Sequence, residues 1–124
     1  MTYQEAVDWL YGAVPNFQRD GGSKNYKIGL ENPKELWAYL ECPGSSISTI
    51  HIAGTNGKGS SAHLLASGMK EMGLRVGVFS SPHLFNFRER AKIGIHLIPE
   101  TFVADWVSAH VKTFEALGSS FFEL

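Results

Sequence analysis

The sequence predicts an α/β fold, a mainly parallel sheet with flanking helices, and three observations carry that prediction. Residues 49–53 are a largely β-branched run that stops at Gly54 and becomes a glycine-rich loop, Gly54-Thr55-Asn56-Gly57-Lys58-Gly59-Ser60. Residues 60–72 then place Ala62, Leu65, Ala66, Met69 and Met72 at helical spacing, with Gly73 as the stop. Residues 75–80, with Val76, Val78 and Phe79, return to strand composition. Strand, loop, helix and strand within about thirty residues describe a right-handed βαβ unit. The class is therefore the P-loop type of sheet.

Taken in order, the elements begin with an amphipathic helix. Thr2 and Glu5 have capping-box spacing, and Tyr3, Val7, Leu10, Tyr11 and Val14 recur on one face, read as core, before Pro15 ends the helix. Residues 16–29 lose that pattern to Gly, Ser, Asn, Lys and Arg around Gly21-Gly22 and read as a loop. Asn32-Pro33 opens a second helix, with Leu36, Trp37 and Leu40 on one face and Cys42-Pro43-Gly44 at its end. The strand at 49–53 alternates weakly, as a central parallel strand covered on both faces does. Residues 81–90 read as a long loop, and residues 91–98 as a short hairpin turning near Gly94. Residues 99–117 read as a helix with Phe102, Val103, Trp106, His110 and Phe114 near one face and Gly118 as its stop. Ser119-Ser120-Phe121-Phe122-Glu123-Leu124 have the composition of a strand start, so the sheet is expected to be cut short.

A chain of 124 residues fits one domain. Its 11 Lys and Arg against 12 Asp and Glu give a net charge of −1, which argues against a nucleic-acid partner held by bulk electrostatics. Cys42 is the only cysteine, so no intrachain disulfide or thiolate cage forms, and a reducing compartment is expected. Met1-Thr2-Tyr3-Gln4-Glu5 lacks the basic start and apolar core of a signal peptide, and no apolar stretch is long enough to cross a bilayer. A cytoplasmic protein without a membrane partner is expected. His51, His63, His96 and His110 show no metal-site spacing and are read as structural.

The loop carries the chemistry. Glycines at 54, 57 and 59 let successive N–H groups turn inward into an anion-sized nest, and Lys58 adds a full positive charge. The helix that follows sets its positive end behind the anion. The spacing departs from the common phosphate loop, which counted back from Lys58 needs glycine at 52 and Ser or Thr at 59, where the chain has Ile52 and Gly59. A plain glycine turn is the competing reading, and the order of strand, loop, lysine and helix argues against it. Lys58 is the candidate catalytic residue, neutralising charge on a moving phosphoryl group, with Gly54, Thr55, Asn56, Gly57, Gly59 and Ser60 as its partners on the nucleotide. Ser60 and Ser61 also suit helix N-caps, and the Ser60 hydroxyl stands within reach of phosphate or magnesium. His83, Arg88 and Arg90 offer an edge on which guanidinium groups grip an anion, or a solvated charged loop.

The loop, followed by Ser80-Ser81-Pro82-His83-Leu84 and Phe87-Arg88-Glu89-Arg90, resembles the N-terminal part of the folylpolyglutamate synthase/dihydrofolate synthase family of the Mur ligase superfamily. The first motif points to the superfamily and the second, with its arginines, to the folate branch. The resemblance covers roughly residues 21–124. It implies a fold like the Mur ligase central domain, with ATP as the nucleotide and Mg2+ as its ion. Ser81, by itself a serine at a strand end, becomes by resemblance a magnesium ligand beside Ser60. The loop carrying His83 and Arg88 is expected to shape a folate pocket. Tyr26, Lys27 and Ile28, with Ser120, Phe121, Phe122 and Glu123, match positions on the pterin side, where a phenylalanine stacks on a flat ring; a core strand is the plain reading of the two phenylalanines. Lys27 stands where family members often carry an acidic residue, and Ala91-Lys92-Ile93-Gly94-Ile95 departs from the usual Ile-basic-Ile-Asn-Gly hairpin.

Members of this family are a few times longer and have two domains. Residues 1–124 are thus expected to be the N-terminal part of the ATP-binding domain, truncated before the rest of that domain and the C-terminal ligase domain, and inactive alone. The parent is expected to be a monomeric ligase that joins L-glutamate to folate (tetrahydrofolylpolyglutamate synthase), to dihydropteroate (dihydrofolate synthase) or to both, through an acyl phosphate. The alternatives are a nucleotide-binding module without catalysis, another Mur-type amide ligase acting on cell-wall precursors or cyanophycin, and a generic P-loop phosphotransferase. Ser-Pro-His-Leu with Phe-Arg-Glu-Arg argues against the second, and the loop spacing against the third.

Overall fold

The computed structural model describes residues 1–12 and 30–119. The chain divides into two compact units, residues 1–48 with 103–124 and residues 49–102. The first holds α1 (Tyr3–Gly12), α2 (Glu31–Tyr39) and most of α4 (Glu100–Leu117). The capping box at the start of α1 is formed: Glu5 N–H donates to Thr2 Oγ1 at 3.2 Å, and Thr2 N–H to Glu5 Oε2 at 2.8 Å. Thr2 therefore holds the Glu5 carboxyl below its ordinary range, through its backbone first and its side chain second.

Burial follows helical spacing. Ala6, Val7 and Leu10 from α1, Leu36 from α2, and Val103, Ala104, Val107 and Phe114 from α4 make the core. Phe114 is packed among rings, with centroids 5.1 Å from Trp106, 5.6 Å from His110 and 6.2 Å from Trp9. Polar bonds link the helices at the rim: Trp9 Nε1 donates to Glu115 Oε1 at 3.1 Å, and Tyr39 Oη lies 2.8 Å from His110 Nδ1.

Some assignments need correcting. Asn32-Pro33 does not open α2, which starts at Glu31 after an N-cap, Leu30, without a side-chain bond. Asn32 is buried instead, and its Nδ2 donates to Leu117 O at 3.2 Å, meeting one of the carbonyls that the end of α4 leaves outside its ladder. Tyr11, Trp37 and Phe102 share the apolar stripes yet stay exposed, because each stripe is wider than the surface that covers it. The ends assigned at Val14 and Pro15, the loop at 16–29 and the strand start at 120–124 lie outside the described residues.

The second unit holds α3 (Lys58–Glu71), β1 (Gly77–Phe79), a four-residue 3-10 helix (Phe87–Arg90), β2 (Ala91–Ile93) and β3 (His96–Leu97). Its ladder, among the described residues, does not confirm the expected parallel sheet. The three strands run in the order β1-β2-β3, both pairs antiparallel, with Val78 opposite Lys92 and Ile93 opposite His96. Bonds from Ser80 N–H to Arg90 O and from Gly94 N–H to Val76 O, each 2.9 Å, carry the pairing past both ends of β1. A connection as short as 81–90 returns a strand antiparallel, whereas parallel pairing needs a long crossover. Residues 49–53 enter no ladder among the described residues, so the βαβ unit is not confirmed there. The hairpin turn at Gly94 and the helix stop at Gly73 fall where expected, both with positive φ.

Helix α3 also departs from expectation. Ala62, Ala66 and Met69 are half-buried, but Leu65 is exposed, Met72 is 77% exposed and no residue of α3 is fully buried. β1 packs on one side of α3, and Phe79 of that strand is itself 78% exposed. The apolar face is therefore present in sequence but covered in part by the described residues of this unit.

Candidate functional site

Gly57 decides how the loop enters the helix. It is the N-cap of α3 with φ of 78°, a left-handed conformation that residues with a Cβ rarely adopt, and no side chain caps the helix. The first bond of the ladder runs from Ser61 N–H to Gly57 O at 2.9 Å. Lys58 is thus the first helical residue, and Ser60 and Ser61 lie inside the first turn, which corrects their reading as caps. The amides of Lys58, Gly59 and Ser60 precede the ladder and gather at the positive end of the helix. A Cβ built at Gly57 or Gly59 would meet nothing within 4 Å, so the space before the loop is open. Lys58 Nζ folds over the loop and donates to Gly54 O and, at 3.1 Å, to Thr55 O.

A cleft of about 640 Å³ opens beside this turn. It is lined by Gly54, Lys58 and Gly59 from the loop, Ser81 beyond β1, and residues 49–53, Ala62, Phe79 and Ser80. Four expected site residues therefore meet in one cavity. Thr55, Asn56, Gly57 and Ser60 belong to the same loop but do not line it, and neither do His83 and Arg88. Tyr26, Lys27, Ile28, Ser120, Phe121, Phe122 and Glu123 lie outside the described residues. His51 and Phe79 line the cleft without having been singled out as site residues; nothing in local spacing marks them, because a cleft wall is assembled from separate segments.

Past Ser81, a cis peptide joins Ser81 to Pro82, and the expected plain loop contains the 3-10 helix. Asn86 caps it, accepting from Arg88 N–H at 3.0 Å, while Glu89 reaches back. The Glu89 carboxylate accepts three successive amides, from Leu84 at 2.9 Å, Phe85 at 3.1 Å and Asn86 at 2.8 Å. The Asn-x-x-Glu spacing at 86–89 was the available signal for this element. The Leu84 N–H first, then those of Asn86 and Phe85, hold the Glu89 carboxyl below its ordinary range. Because its folded pKa lies below the unfolded one, this contribution is complete above the ordinary carboxylate range and is lost as pH falls through the lowered value. Amide exchange of Leu84, Phe85 and Asn86 is expected to lose protection on that descent; in Glu89→Gln it should already be reduced at neutral pH. Unchanged protection in the variant would contradict this role.

The basic side chains of this segment have partners within the chain. Arg88 Nη2 lies 3.2 Å from Glu100 Oε1, its Nε donates to Asn86 Oδ1 at 3.2 Å and its Nη1 to Ile98 O at 3.5 Å. Arg90 Nε donates to His83 Nδ1 at 2.9 Å. Since guanidinium only donates, Nδ1 is the acceptor and the ring hydrogen sits on Nε2. The expected anion edge is therefore tied into its own scaffold. Lys58→Ala and Arg88→Ala should separate the two regions: the latter is expected to loosen the segment 86–100 in hydrogen exchange with the loop at 54–60 unaffected.

Among the described residues no cluster of three His, Cys, Asp or Glu side chains gathers around one point, and no helix is long and apolar enough to cross a membrane. The Ser81 hydroxyl, a hard oxygen donor on the cleft wall, suits magnesium, which takes few protein oxygens and keeps its waters. Open space before two glycines, a cluster of amides at a helix start and one lysine suit a phosphate.

Loop and fold together define an α/β protein with a glycine loop at a helix start, an arrangement that suits an anion. No protein-family model matches the chain. It is 34% identical over 117 residues to the dihydrofolate synthase/folylpolyglutamate synthase of Bacillus subtilis, a match covering 92% of this chain and 25% of that protein. The folylpolyglutamate synthase structure from Thermotoga maritima superposes with a TM-score of 0.80 at 34% identity, over 98% of this chain and 27% of that one. An FPGS-AMPPCP-folate complex superposes at 0.78 with 28% identity, over 99% and 30%. The chain belongs to the folylpolyglutamate synthase/dihydrofolate synthase family. It spans about a quarter of the length of the relatives it matches.

Proposed function

We propose that this chain is the N-terminal part of the ATP-binding domain of a cytoplasmic ligase that joins L-glutamate to folate, to dihydropteroate or to both. The observation that supports it most is the meeting of Gly54, Lys58, Gly59 and Ser81 around one cleft at the start of α3, in a chain similar to an FPGS bound to AMPPCP and folate. The loop amides and Lys58 hold the phosphates, and the hydroxyls of Ser81 and Ser60 would hold magnesium. Magnesium, when bound, neutralises phosphate charge.

A free carboxylate is a poor electrophile, so the folate-side carboxylate first accepts the terminal phosphoryl group, leaving ADP. The amine of glutamate then forms the amide bond as the acyl–oxygen bond breaks and inorganic phosphate leaves. Lys58 stabilises charge on the phosphoryl group in flight, and the loop keeps it aligned; little covalent chemistry falls to the protein. The pterin side is assigned to Tyr26, Lys27, Ile28, Ser120, Phe121, Phe122 and Glu123, with His83 and Arg88 on the neighbouring loop. The amine site and the remaining metal ligands belong to the rest of the protein, and the 124-residue chain alone binds nucleotide without turnover.

Calorimetric titration of the chain with MgATP, with and without dihydropteroate, tests the reading. Saturable MgATP binding at one site, with dihydropteroate adding to it, is the expected outcome. A chain that is folded by circular dichroism yet binds no MgATP would contradict the assignment of the loop.

A further inference from the structure

His63 lies one turn into α3, and Lys92 lies on β2. Nδ1 of His63 is 2.7 Å from Gly59 O, and Nζ of Lys92 is 3.5 Å from Nε2 of the same ring. The chemistry of these partners fixes the protons. A carbonyl oxygen only accepts, so Nδ1 carries the ring hydrogen; an ammonium only donates, so Nε2 offers its lone pair. The neutral Nδ1–H tautomer alone satisfies both contacts. The ring therefore bridges a residue of the cleft wall, Gly59, to a cation on a different element.

Two hydrogen bonds and the width of an imidazole put that ammonium within about 10 Å of the Gly59 carbonyl, which is about a Debye length at 0.1 M salt. The Gly59 carbonyl points along α3 away from the loop amides, so the charge reaches a multiply charged anion at the loop from about one helical turn further, as a screened one. Lys58, the nearer cation, shares its ammonium with the carbonyls of Gly54 and Thr55. The strand packed on α3, β1, brings no titratable side chain, and Glu89 of the 3-10 helix is a carboxylate within electrostatic reach of Lys92.

We propose that His63 is a positioning residue, holding Lys92 beside the first turn of α3 so that the loop meets a nucleoside triphosphate with two lysines instead of one. The proposal rests on the reading of the loop as a nucleotide phosphate site. Its test is a mutant cycle on the full chain, MgATP affinity being measured by calorimetry at about pH 8, where an imidazole is neutral. Lys92→Gln and His63→Leu are each expected to weaken binding about threefold, as for a screened surface charge. The double variant should be no weaker than either, and His63→Gln, whose amide both donates and accepts, should restore the wild-type value. Additive losses, no loss, or failure of glutamine to rescue would overturn the proposal.

The ring itself reports separately. Nitrogen-15 shifts of His63 are expected to show the Nδ1–H tautomer, with the Nε2 resonance moving in Lys92→Gln; the opposite tautomer overturns the bridge. If the wild-type chain binds no MgATP, the nucleotide reading fails and the ligand of this proposal with it, whatever the ring shifts show. If it binds MgATP and the ring is in the wrong tautomer, the proposal alone fails.

Discussion

Lys58→Ala should weaken MgATP binding by about 100-fold, the scale on which removal of one partner of a hydrogen-bonded charge pair acts. Alanine is the best helix former and Lys58 is the first residue of α3, so the helix start survives the change. What disappears is the ammonium, together with its bonds to Gly54 O and Thr55 O. The loop then loses both its charge and its internal strap. Calorimetry reads the affinity, and circular dichroism confirms that the helices persist. A variant with wild-type affinity would remove Lys58 from the phosphate site and leave Gly54-Thr55-Asn56-Gly57 as a turn.

Phe114→Ala is expected to have the largest effect on stability. The side chain is 1% exposed and surrounded by the rings of Trp9, Trp106 and His110. Truncating a buried phenylalanine costs about 3–5 kcal/mol, from lost transfer energy and the cavity left behind. That is a large part of the 5–15 kcal/mol that typically separates folded from unfolded domains. Phe102→Ala, on the same helix but 55% exposed, is the control and should cost less than about 1 kcal/mol. Urea unfolding of the two variants measures the difference. Equal losses would mean that Phe114 is not the centre of the core.

The predicted fold was most legible where a residue's own conformation is the signal. Gly73, Gly94 and Gly118 end helices or turn the hairpin with positive φ, and each was assigned on that ground. The Thr2 and Glu5 box was equally local. The start of α3 was misread because the usual search is for a hydroxyl cap, and Ser60 and Ser61 supply attractive candidates. Gly57 does the capping through its backbone, which no side-chain rule registers. The parallel ladder is not confirmed among the described residues, for a different reason. Strand propensity at 49–53 and 75–80 says that both segments suit a sheet, but pairing depends on what the intervening and following segments place beside them. The 3-10 helix at Phe87–Arg90 leads directly into β2, which pairs antiparallel with β1.

The candidate site shows the same division. Its loop was readable because glycines, a lysine and a helix start are contiguous. Arg88 was read by its charge and by the family motif around it, and neither reveals that Glu100 twelve residues on takes its guanidinium. His63 was set aside as structural because its neighbours in sequence suggest no metal. Its partner Lys92 sits on a separate strand and becomes visible only once β2 is in place.

The central claim is that the loop of residues 54–60 holds the phosphates of ATP. The measurement that reaches it most directly is a titration of the nitrogen-15-labelled chain with MgATP, followed through the backbone amides. The largest shifts are expected on Gly54, Thr55, Asn56, Gly57, Lys58, Gly59 and Ser60, with a second set at Ser80 and Ser81 across the cleft. Saturable shifts centred elsewhere, with the amides of the loop unmoved, would contradict it.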